Sequence, residues 1–147
     1  MSNRILIVDD DSTNIELLTD YLEGVGDEIR GLTDSLQVES VFREFQPDIM
    51  LLDLHMPGDD GLEVLRRIRG ARESVGFLPV IVLTGDTGKV ARNAALILGA
   101  DDFLTKPVDR SEVVLRVRNL LRTRHLYEEL AAKGHQDDSA SHRDRGG

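Results

Sequence analysis

Short apolar runs alternate with segments of helical periodicity along roughly the first 130 residues of the chain. This alternation is typical of a parallel sheet covered by helices on both faces. Five strands are predicted, at Arg4 to Val8, Glu28 to Leu32, Ile49 to Leu52, Val80 to Leu83 and Asp102 to Leu104. The runs ILIV, IMLL and VIVL are apolar at every position, which predicts that three of the strands are buried on both faces at the centre of the sheet.

Helical patterns fill the segments between and after these strands. For the first helix, apolar residues recur between Leu18 and Val25, Thr13 and Glu16 form a capping-box pattern, and Gly26 supplies a stop. Four more helices are predicted near Ser35 to Phe45, Leu62 to Arg69, Lys89 to Leu98 and Ser111 to about Ala132. Five βα units with right-handed crossovers predict a flavodoxin-like, doubly wound (βα)5 fold with three layers and strand order 2-1-3-4-5.

Length and composition narrow the class of protein. The 147 residues suit one compact domain, predicted at 1–122, with an extension of the last helix at 123–132 and a disordered, apolar-poor tail at 133–147. A formal net charge of -9 disfavours binding to nucleic acid or anionic lipid through bulk charge. The chain has no cysteine, no signal-peptide pattern and no apolar run that could span a bilayer, so we expect a cytoplasmic protein without thiol chemistry.

Acidic residues follow two strands of the predicted sheet. The first strand runs directly into Asp9, Asp10 and Asp11, and the third runs into Asp53. The carboxyl ends of parallel strands lie at one edge of the sheet, so these carboxylates are expected to converge, and a hard divalent cation would relieve their repulsion. Magnesium fits this oxygen-rich set best. The alternative is that the acids end a strand and cap the next helix, an explanation that suits Asp11 better than the other two.

Two hydrogen-bond donors are predicted at the same edge. Thr84 closes the fourth strand and Lys106 follows the fifth. Taken singly, each has an ordinary explanation, since a threonine at a strand end often bonds to backbone and a lysine before proline is often solvated. Together with Asp53 and Mg²⁺ they supply the cation, ammonium and neutral donor that stabilise a phosphoryl group in transfer.

The motifs VDD, LLDLHMPGDDG, VLTG and GADDFLTKP occur in this order along the chain. With these separations, residues 4–122 resemble the receiver domains of two-component response regulators. The resemblance implies that Asp53 is the phosphoacceptor, that Asp10 is a direct Mg²⁺ ligand, that Asp9 acts directly or through water, and that the backbone carbonyl of His55 is a further ligand. Such a domain is a phosphoacceptor switch that assists its own phosphorylation and dephosphorylation, rather than an enzyme acting on a separate substrate.

The same resemblance assigns further roles. It implies that Thr84 and Lys106 hold the phosphoryl oxygens, that the bond between Lys106 and Pro107 is cis, and that Phe103 is an aromatic switch. The alternative for Phe103 is an ordinary aromatic at the edge of the core. Phosphorylation by a sensor histidine kinase or phosphotransfer protein is expected to change the face formed by the fourth helix, fifth strand and fifth helix, and so to regulate an output domain, a partner protein or dimerisation.

Three positions depart from the commonest pattern of the family. His55 lies near the expected phosphoryl site, Gly85 follows Thr84 where alanine is frequent, and Asp86 comes next. His55 could alter the access of water to the acyl phosphate, or it could be a surface histidine beside an acidic pocket. These departures bear on the lifetime of the phosphorylated state.

The last predicted helix is longer than a receiver domain needs. A stripe from Val113 to Tyr127 has a/d spacing, with Arg124 and Ala131 at the intervening positions, which suggests either a short dimeric coil or a helix packed on the sheet with a solvated end. Its arginines favour a solvated or dimer-bridging face over nucleic-acid contact. The stretch VRNLLRTRHLYEEL resembles the connection to cyclic-dinucleotide output domains in some response regulators.

Two other functions stay open at this point. Asp9, Asp11 and Thr13 match the DxDxT motif of haloacid-dehalogenase-type phosphatases, although Lys106 follows the acidic pair Asp101-Asp102 where those enzymes place the lysine before it. That interpretation also leaves Asp53 without a role. A pseudo-receiver that only binds a partner is the second alternative, but such proteins typically lose the acceptor, an acid or the lysine.

Overall fold

The structure is a computed structural model that describes residues 3–56, 59–70, 77–85 and 89–146. Its main sheet has five parallel strands, which are β1 (Arg4–Val8), β2 (Glu28–Leu32), β3 (Ile49–Asp53), β4 (Val80–Thr84) and β5 (Asp102–Thr105). The strands are arranged in the order 2-1-3-4-5, as the sequence predicted. Each predicted strand is present, and three of them extend one residue further at the carboxyl end than expected. A two-residue antiparallel ladder, His55–Met56 with Asp59–Asp60, lies directly after β3.

Alternate residues of the central strands face two separate hydrophobic layers. On one side, Leu6, Met50 and Val82 pack among residues of the second, third and fourth helices. On the other side, Ile7 and Leu51 pack against the first and last helices. Because successive side chains of a strand point to opposite faces, a strand apolar at every position serves both layers, which explains the three runs without polar residues.

The helices occupy the predicted positions, with different ends. They are α1 (Ser12–Tyr21), α2 (Val38–Phe45), α3 (Gly61–Gly70), α4 (Lys89–Ile97) and α5 (Arg110–Gly146). A short 3-10 turn, Ser35–Gln37, precedes α2 where the sequence predicted one continuous helix.

The predicted capping box of α1 is wrong. Asp11 is the N-cap, and its side chain accepts a hydrogen bond from the backbone N–H of Thr13 at 3.0 Å. Thr13 therefore lies inside the first turn, because the carboxylate one residue before the helix satisfies the donor that a threonine cap would have required. At the other end the helix stops at Tyr21, and Gly26 donates to the carbonyl of Leu22 in the turn that follows.

Helix α5 continues to Gly146, although the sequence predicted an end near Ala132 and a disordered tail at 133–147. The prediction rested on low apolar content, which disfavours packing but does not prevent a solvated helix. The segment has no proline, and Gly134 is its single glycine before Gly146. One internal glycine costs about 1 kcal/mol relative to alanine, so helical propagation from the packed part of α5 is tolerated.

The first half of α5 belongs to the core. Val113 and Val117 are fully buried against the sheet, so the a/d stripe cannot form a dimeric coil from Val113 onward. Leu126 and Leu130, further along, are exposed. No helix among the described residues combines the length and apolarity needed to cross a membrane.

Candidate phosphoryl-acceptor and magnesium site

Four predicted site residues meet at one edge of the sheet. Asp53 and Thr84 are the last residues of β3 and β4, while Asp9 directly follows β1 and Lys106 directly follows β5. The register places Thr84 opposite Thr105, the residue before Lys106. Parallel strands in register end at the same level, so residues far apart in the sequence come together here.

Asp9 is fully buried and its carboxylate has three donors. Oδ1 accepts the backbone N–H of Asp11 at 2.9 Å, and Oδ2 accepts the amide of Asn14 and the ammonium of Lys106, each at 3.2 Å. Sequence reasoning missed Asn14. Its position in the first turn of the helix that follows an acidic strand end is the signal that could have identified it.

Asp53 is 1% exposed. Its carboxylate contacts two hydrogen-bond donors and lies near the negative charge of Asp9. Oδ1 accepts the backbone N–H of His55 at 3.1 Å, and Oδ2 is 3.2 Å from Nζ of Lys106. Burial and the neighbouring charge of Asp9 raise the pKa of Asp53, and the bonds from His55 and Lys106 offset this only in part. The pocket therefore stabilises the Asp53 anion incompletely.

Lys106 bridges the two buried acids. Burial alone would lower its pKa, but the charges of Asp53 and Asp9 and their hydrogen bonds outweigh burial, so the pKa of Lys106 is raised. The amine is therefore held as an ammonium ion between the carboxylates. Its peptide bond to Pro107 is cis, as the family resemblance implied.

The acids suit a divalent cation. Carboxylate oxygens of Asp9, Asp10 and Asp53 all lie within 4.8 Å of one another, with Asp10 exposed and the other two buried. Lys106 supplies one positive charge to these three carboxylates, which leaves two negative charges uncompensated among the four side chains. Mg²⁺ prefers oxygen ligands, commonly binds through one or two carboxylates and retains several waters, so the side chains fit it. The carbonyl of His55 stays a predicted ligand.

Thr84 is buried at the end of β4, with 1% of its surface exposed. Its Oγ1 is 3.2 Å from Nε2 of His55, and the two groups share a hydrogen bond. Its carbonyl accepts the backbone N–H of Lys106 at 2.8 Å. The side chain of His55 is thus in contact with a site residue, and is more than a surface histidine beside the pocket. Asp86 lies outside the described residues.

Gly61 positions the backbone of the acceptor strand, a role that sequence reasoning missed. Its N–H donates to the carbonyl of Leu54 at 3.2 Å. A Cβ at this position would lie 2.5 Å from the carbonyl oxygen of Asp53 and 2.5 Å from Cα of Leu54. These are backbone atoms that cannot swing aside, so only glycine permits this approach.

Phe103 on β5 is half-buried and packs against the core layer that contains α4. The guanidinium carbon of Arg92 on α4 lies 4.1 Å from the centroid of its ring, within the range of a cation-π contact. The ring therefore connects β5 to α4, and its role as an aromatic switch stays a prediction.

Comparison with known proteins adds the family. The sequence profile of the response regulator receiver domain matches residues 5–118. The chain belongs to this family. The receiver domain is 40% identical over 122 residues to the DNA-binding response regulator MtrA of Mycolicibacterium paratuberculosis, which covers 83% of this chain and 52% of the relative. This chain thus spans about half the length of that curated relative.

Solved structures agree with this assignment. A response regulator from Chloroflexus aurantiacus J-10-fl superposes with a TM-score of 0.76 at 34% identity, covering 83% of this receiver domain and 99% of that chain. The BeF3-activated receiver domain of DrrB superposes with a TM-score of 0.74 at 25% identity, covering 83% and 99%. The flavodoxin-like fold expected from the sequence is confirmed.

The phosphatase alternative loses its support at this site. The carboxylate of Asp11 caps α1. Asp101 accepts from Arg69 and from the backbone N–H of Val80, each at 2.8 Å, and Asp102 pairs with Arg116 at 3.1 Å. The acids that would serve as the later phosphatase motif are therefore engaged in structural contacts, and the family comparison favours the receiver domain.

Proposed function

We propose that Asp53 accepts a phosphoryl group from a sensor histidine kinase or phosphotransfer protein and that this modification switches the domain. The observation that carries the proposal is the Asp53 carboxylate itself. It is buried at a strand end, touches Lys106 at 3.2 Å, and shares the pocket with Asp9 and Asp10. Asp53 is thus an acceptor supplied with the charges that an incoming anion requires.

In the transfer, an oxygen of Asp53 forms a bond to phosphorus while the bond between phosphorus and the donor breaks, and the donor keeps that electron pair. Lys106 already contacts this carboxylate and offers its ammonium to the phosphoryl oxygens, and Thr84 is the neutral donor. Fixed donors and charges lower the barrier because transfer is catalysed mainly by positioning and electrostatics. By the same chemistry the domain assists its own phosphorylation and dephosphorylation.

Mg²⁺ is the proposed cofactor, with Asp9, Asp10, Asp53 and the His55 carbonyl as the groups that would hold it. When bound, the ion neutralises charge that builds up between the carboxylate and the phosphoryl oxygens. Asp9 is bound by Asn14 and Lys106, which fixes its orientation beforehand. Asp10 is exposed and adds a carboxylate at the rim.

The direct test is incubation with Mg²⁺ and a small acyl-phosphate donor, followed by intact-mass measurement. We expect a mass gain of one phosphoryl group in the unaltered chain and none in Asp53→Ala. Asp48→Ala is the matched control, because Asp48 is a partly buried carboxylate that lies at the amino end of β3. Labelling that persists in Asp53→Ala, or no labelling of the unaltered chain, would refute the proposal.

The same measurement separates the phosphatase alternative. If Asp9 were the nucleophile, Asp9→Asn would abolish covalent labelling. If Asp9 orients the ion and Lys106, Asp9→Asn weakens labelling and leaves the site of modification at Asp53. A pseudo-receiver would show no labelling in any variant.

The proposed output surface is the face of α4, β5 and α5. Val90 and Ile97 on α4 are 85% and 84% exposed, and Leu115 on α5 is also exposed. Val90 and Ile97 are seven residues apart on α4 and so lie on the same side of the helix, and contiguous exposed apolar side chains are typical of protein interfaces. Within this face, Phe103 of β5 contacts Arg92 of α4, so a movement of Thr84 and Phe103 on phosphorylation would alter it.

Two dimer interfaces are compatible with these exposures, the α4-β5-α5 face and the extended part of α5. The second would use Leu126, Tyr127 and Leu130, which lie beyond the packed stretch of the helix. Sedimentation of Ile97→Asp and Leu130→Asp, with and without beryllium fluoride, distinguishes them. Loss of association in one variant identifies its interface, and association unchanged in both contradicts the two proposals.

The partners beyond the kinase are also proposals. We infer a cytoplasmic protein whose α5 leads to an output domain or partner, with no direct contact between this domain and nucleic acid or membrane. MtrA is named a DNA-binding response regulator, and the match covers 52% of it. A cyclic-dinucleotide output domain rests only on the sequence of α5. Binding of duplex DNA by the isolated chain at physiological salt would overturn the first exclusion.

A further inference from the structure

The side chain of His55 bonds to the threonine that the phosphoryl group needs. His55 lies two residues after the end of β3, and its Nε2 is 3.2 Å from Oγ1 of Thr84 at the end of β4. His55 is an exposed residue, whereas Thr84 is buried. An exposed side chain therefore has a hydrogen-bond partner inside the site.

The direction of this hydrogen bond depends on the tautomer of His55. In the tautomer that carries its proton on Nδ1, Nε2 accepts from the hydroxyl of Thr84, and this is the arrangement on which the inference is built. A hydroxyl carries a single proton. Phosphoryl oxygens can only accept at neutral pH, so Thr84 cannot donate to His55 and to a phosphoryl oxygen at once.

We propose that His55 is a positioning residue that holds Thr84 in its unphosphorylated orientation and so makes the domain less responsive to a phosphoryl group. The inference rests on the proposed function of Asp53 and adds a regulator to the same site. The backbone N–H of His55 bonds to the acceptor carboxylate at 3.1 Å while its ring bonds to Thr84. One residue thus contacts both the acceptor and the switch threonine.

The chain offers a matched pair of substitutions. His55→Gln keeps a polar atom at the distance of Nε2 from the backbone, so it can still accept from Thr84. His55→Asn is equally polar, but its amide ends one bond earlier and cannot reach. Both keep the backbone N–H and carbonyl of residue 55, so neither removes the proposed metal ligand.

The first measurement is beryllium fluoride affinity in Mg²⁺, followed by methyl NMR because the chain has no tryptophan. A net hydrogen bond is worth about 1 kcal/mol, or roughly a factor of five in an equilibrium. We expect His55→Asn to bind beryllium fluoride about fivefold more tightly than the unaltered domain, and His55→Gln to stay near it. When each is combined with Thr84→Val, His55→Asn and His55→Gln should no longer differ in their affinity for beryllium fluoride.

The second measurement needs neither metal nor phosphoryl group. Three-bond couplings report the χ1 rotamer of Thr84, which is stiff because threonine is β-branched. The unaltered chain and His55→Gln should show one rotamer, and His55→Asn should show averaging between two. This readout tests the bond between His55 and Thr84 even if Asp53 accepts no phosphoryl group.

The outcomes separate the two claims. Equal effects of Asn and Gln, or an effect that persists with Thr84→Val, would mean that His55 acts through water access or charge, and the positioning role would be rejected. One unchanged Thr84 rotamer in His55→Asn would also reject it. If the Thr84 rotamers respond as expected but the unaltered domain does not bind beryllium fluoride, the contact between His55 and Thr84 is supported. The proposed function of Asp53 and the regulation built on it are then rejected.

Discussion

The two ends of the sheet use the same charged groups for different purposes. At the carboxyl edge, Asp9 and Asp53 share one ammonium, that of Lys106, at 3.2 Å each. At the amino edge, the carboxylate of Asp48 accepts the backbone N–H of Arg4 at 2.7 Å and pairs with Arg124 of α5 at 3.2 Å. The first group has more acids than cations, whereas the pair of Asp48 and Arg124 is balanced.

This difference separates a binding site from a structural clamp. Arg124 also donates to the carbonyl of Phe77, and His125 shares a 2.9 Å hydrogen bond with the side chain of Asn3. These contacts join α5 to the amino edge of the sheet. The carboxyl edge leaves negative charge uncompensated, and a site of this kind stabilises itself by binding something.

The largest expected effect comes from removing the cation of the carboxyl edge. Lys106→Met keeps most of the side-chain volume but withdraws the ammonium from Asp53 and from the incoming phosphoryl group. Loss of one such electrostatic contact typically costs about 100-fold in rate. Phosphorylation by an acyl-phosphate donor, followed by intact mass over time, measures it. A rate within a few-fold of the unaltered chain would remove Lys106 from the mechanism.

The next effect tests the backbone support of the same edge. Gly61→Ala would force a Cβ to within 2.5 Å of the carbonyl of Asp53, so the strand end must shift. We expect a loss of about 2 kcal/mol in unfolding free energy, by the reasoning for over-packed sites, together with a slower labelling of Asp53. Gly70→Ala is the control, because among the described residues no atom beyond its own helix backbone and its chain neighbours lies within 4 Å of the Cβ position. Equal effects of the two substitutions would contradict the role of Gly61.

Removing the cation of the amino edge should lower stability and leave the labelling rate unchanged, in contrast to Lys106→Met. Arg124→Met breaks the pair with Asp48 and the bond to Phe77, which are largely shielded from solvent. The expected loss is about 2 kcal/mol in unfolding free energy, below the usual range for fully buried pairs because both groups keep some exposure. Urea unfolding measures stability, and the labelling rate should be unchanged. A slower labelling rate would show that the two ends are coupled.

The sequence predicted the carboxyl edge far better than the amino edge. Strand ends can be located from apolar runs, and the carboxyl ends of parallel strands lie at one edge of a sheet, so the sequence alone assigns Asp53 and Lys106 to one pocket. The partner of Asp48 could not be found this way. Arg124 lies 76 residues away on a helix whose rotation about its axis no pattern specified.

The features that the sequence leaves open or mispredicts have a common physical origin. The a/d stripe from Val113 is compatible with a coil or with packing, and the position of α5 on the sheet decides between them. Asp11 and Thr13 were both good caps, and the geometry of the turn selected the acid. The His55 contact with Thr84 depends on a side-chain orientation after a strand end, for which spacing in the sequence gives no signal.

The smallest expected effect is the stabilisation of the carboxyl edge by Mg²⁺, and this stabilisation should depend on pH. At a free concentration tenfold above its dissociation constant, a ligand adds about 1.4 kcal/mol to unfolding free energy, and Asp10→Asn should reduce this gain.

The pKa of Asp53 is raised by burial and by Asp9, so the folded chain binds a proton there more tightly than the unfolded chain. Without metal, Asp53 therefore contributes more stability as pH falls through its raised pKa, whereas the Mg²⁺ gain shrinks over the same range because protons compete for the carboxylate. Thermal unfolding with and without Mg²⁺ at several pH values measures both trends, and an Mg²⁺ gain that stays constant down to the ordinary pKa of aspartate would contradict binding at Asp53.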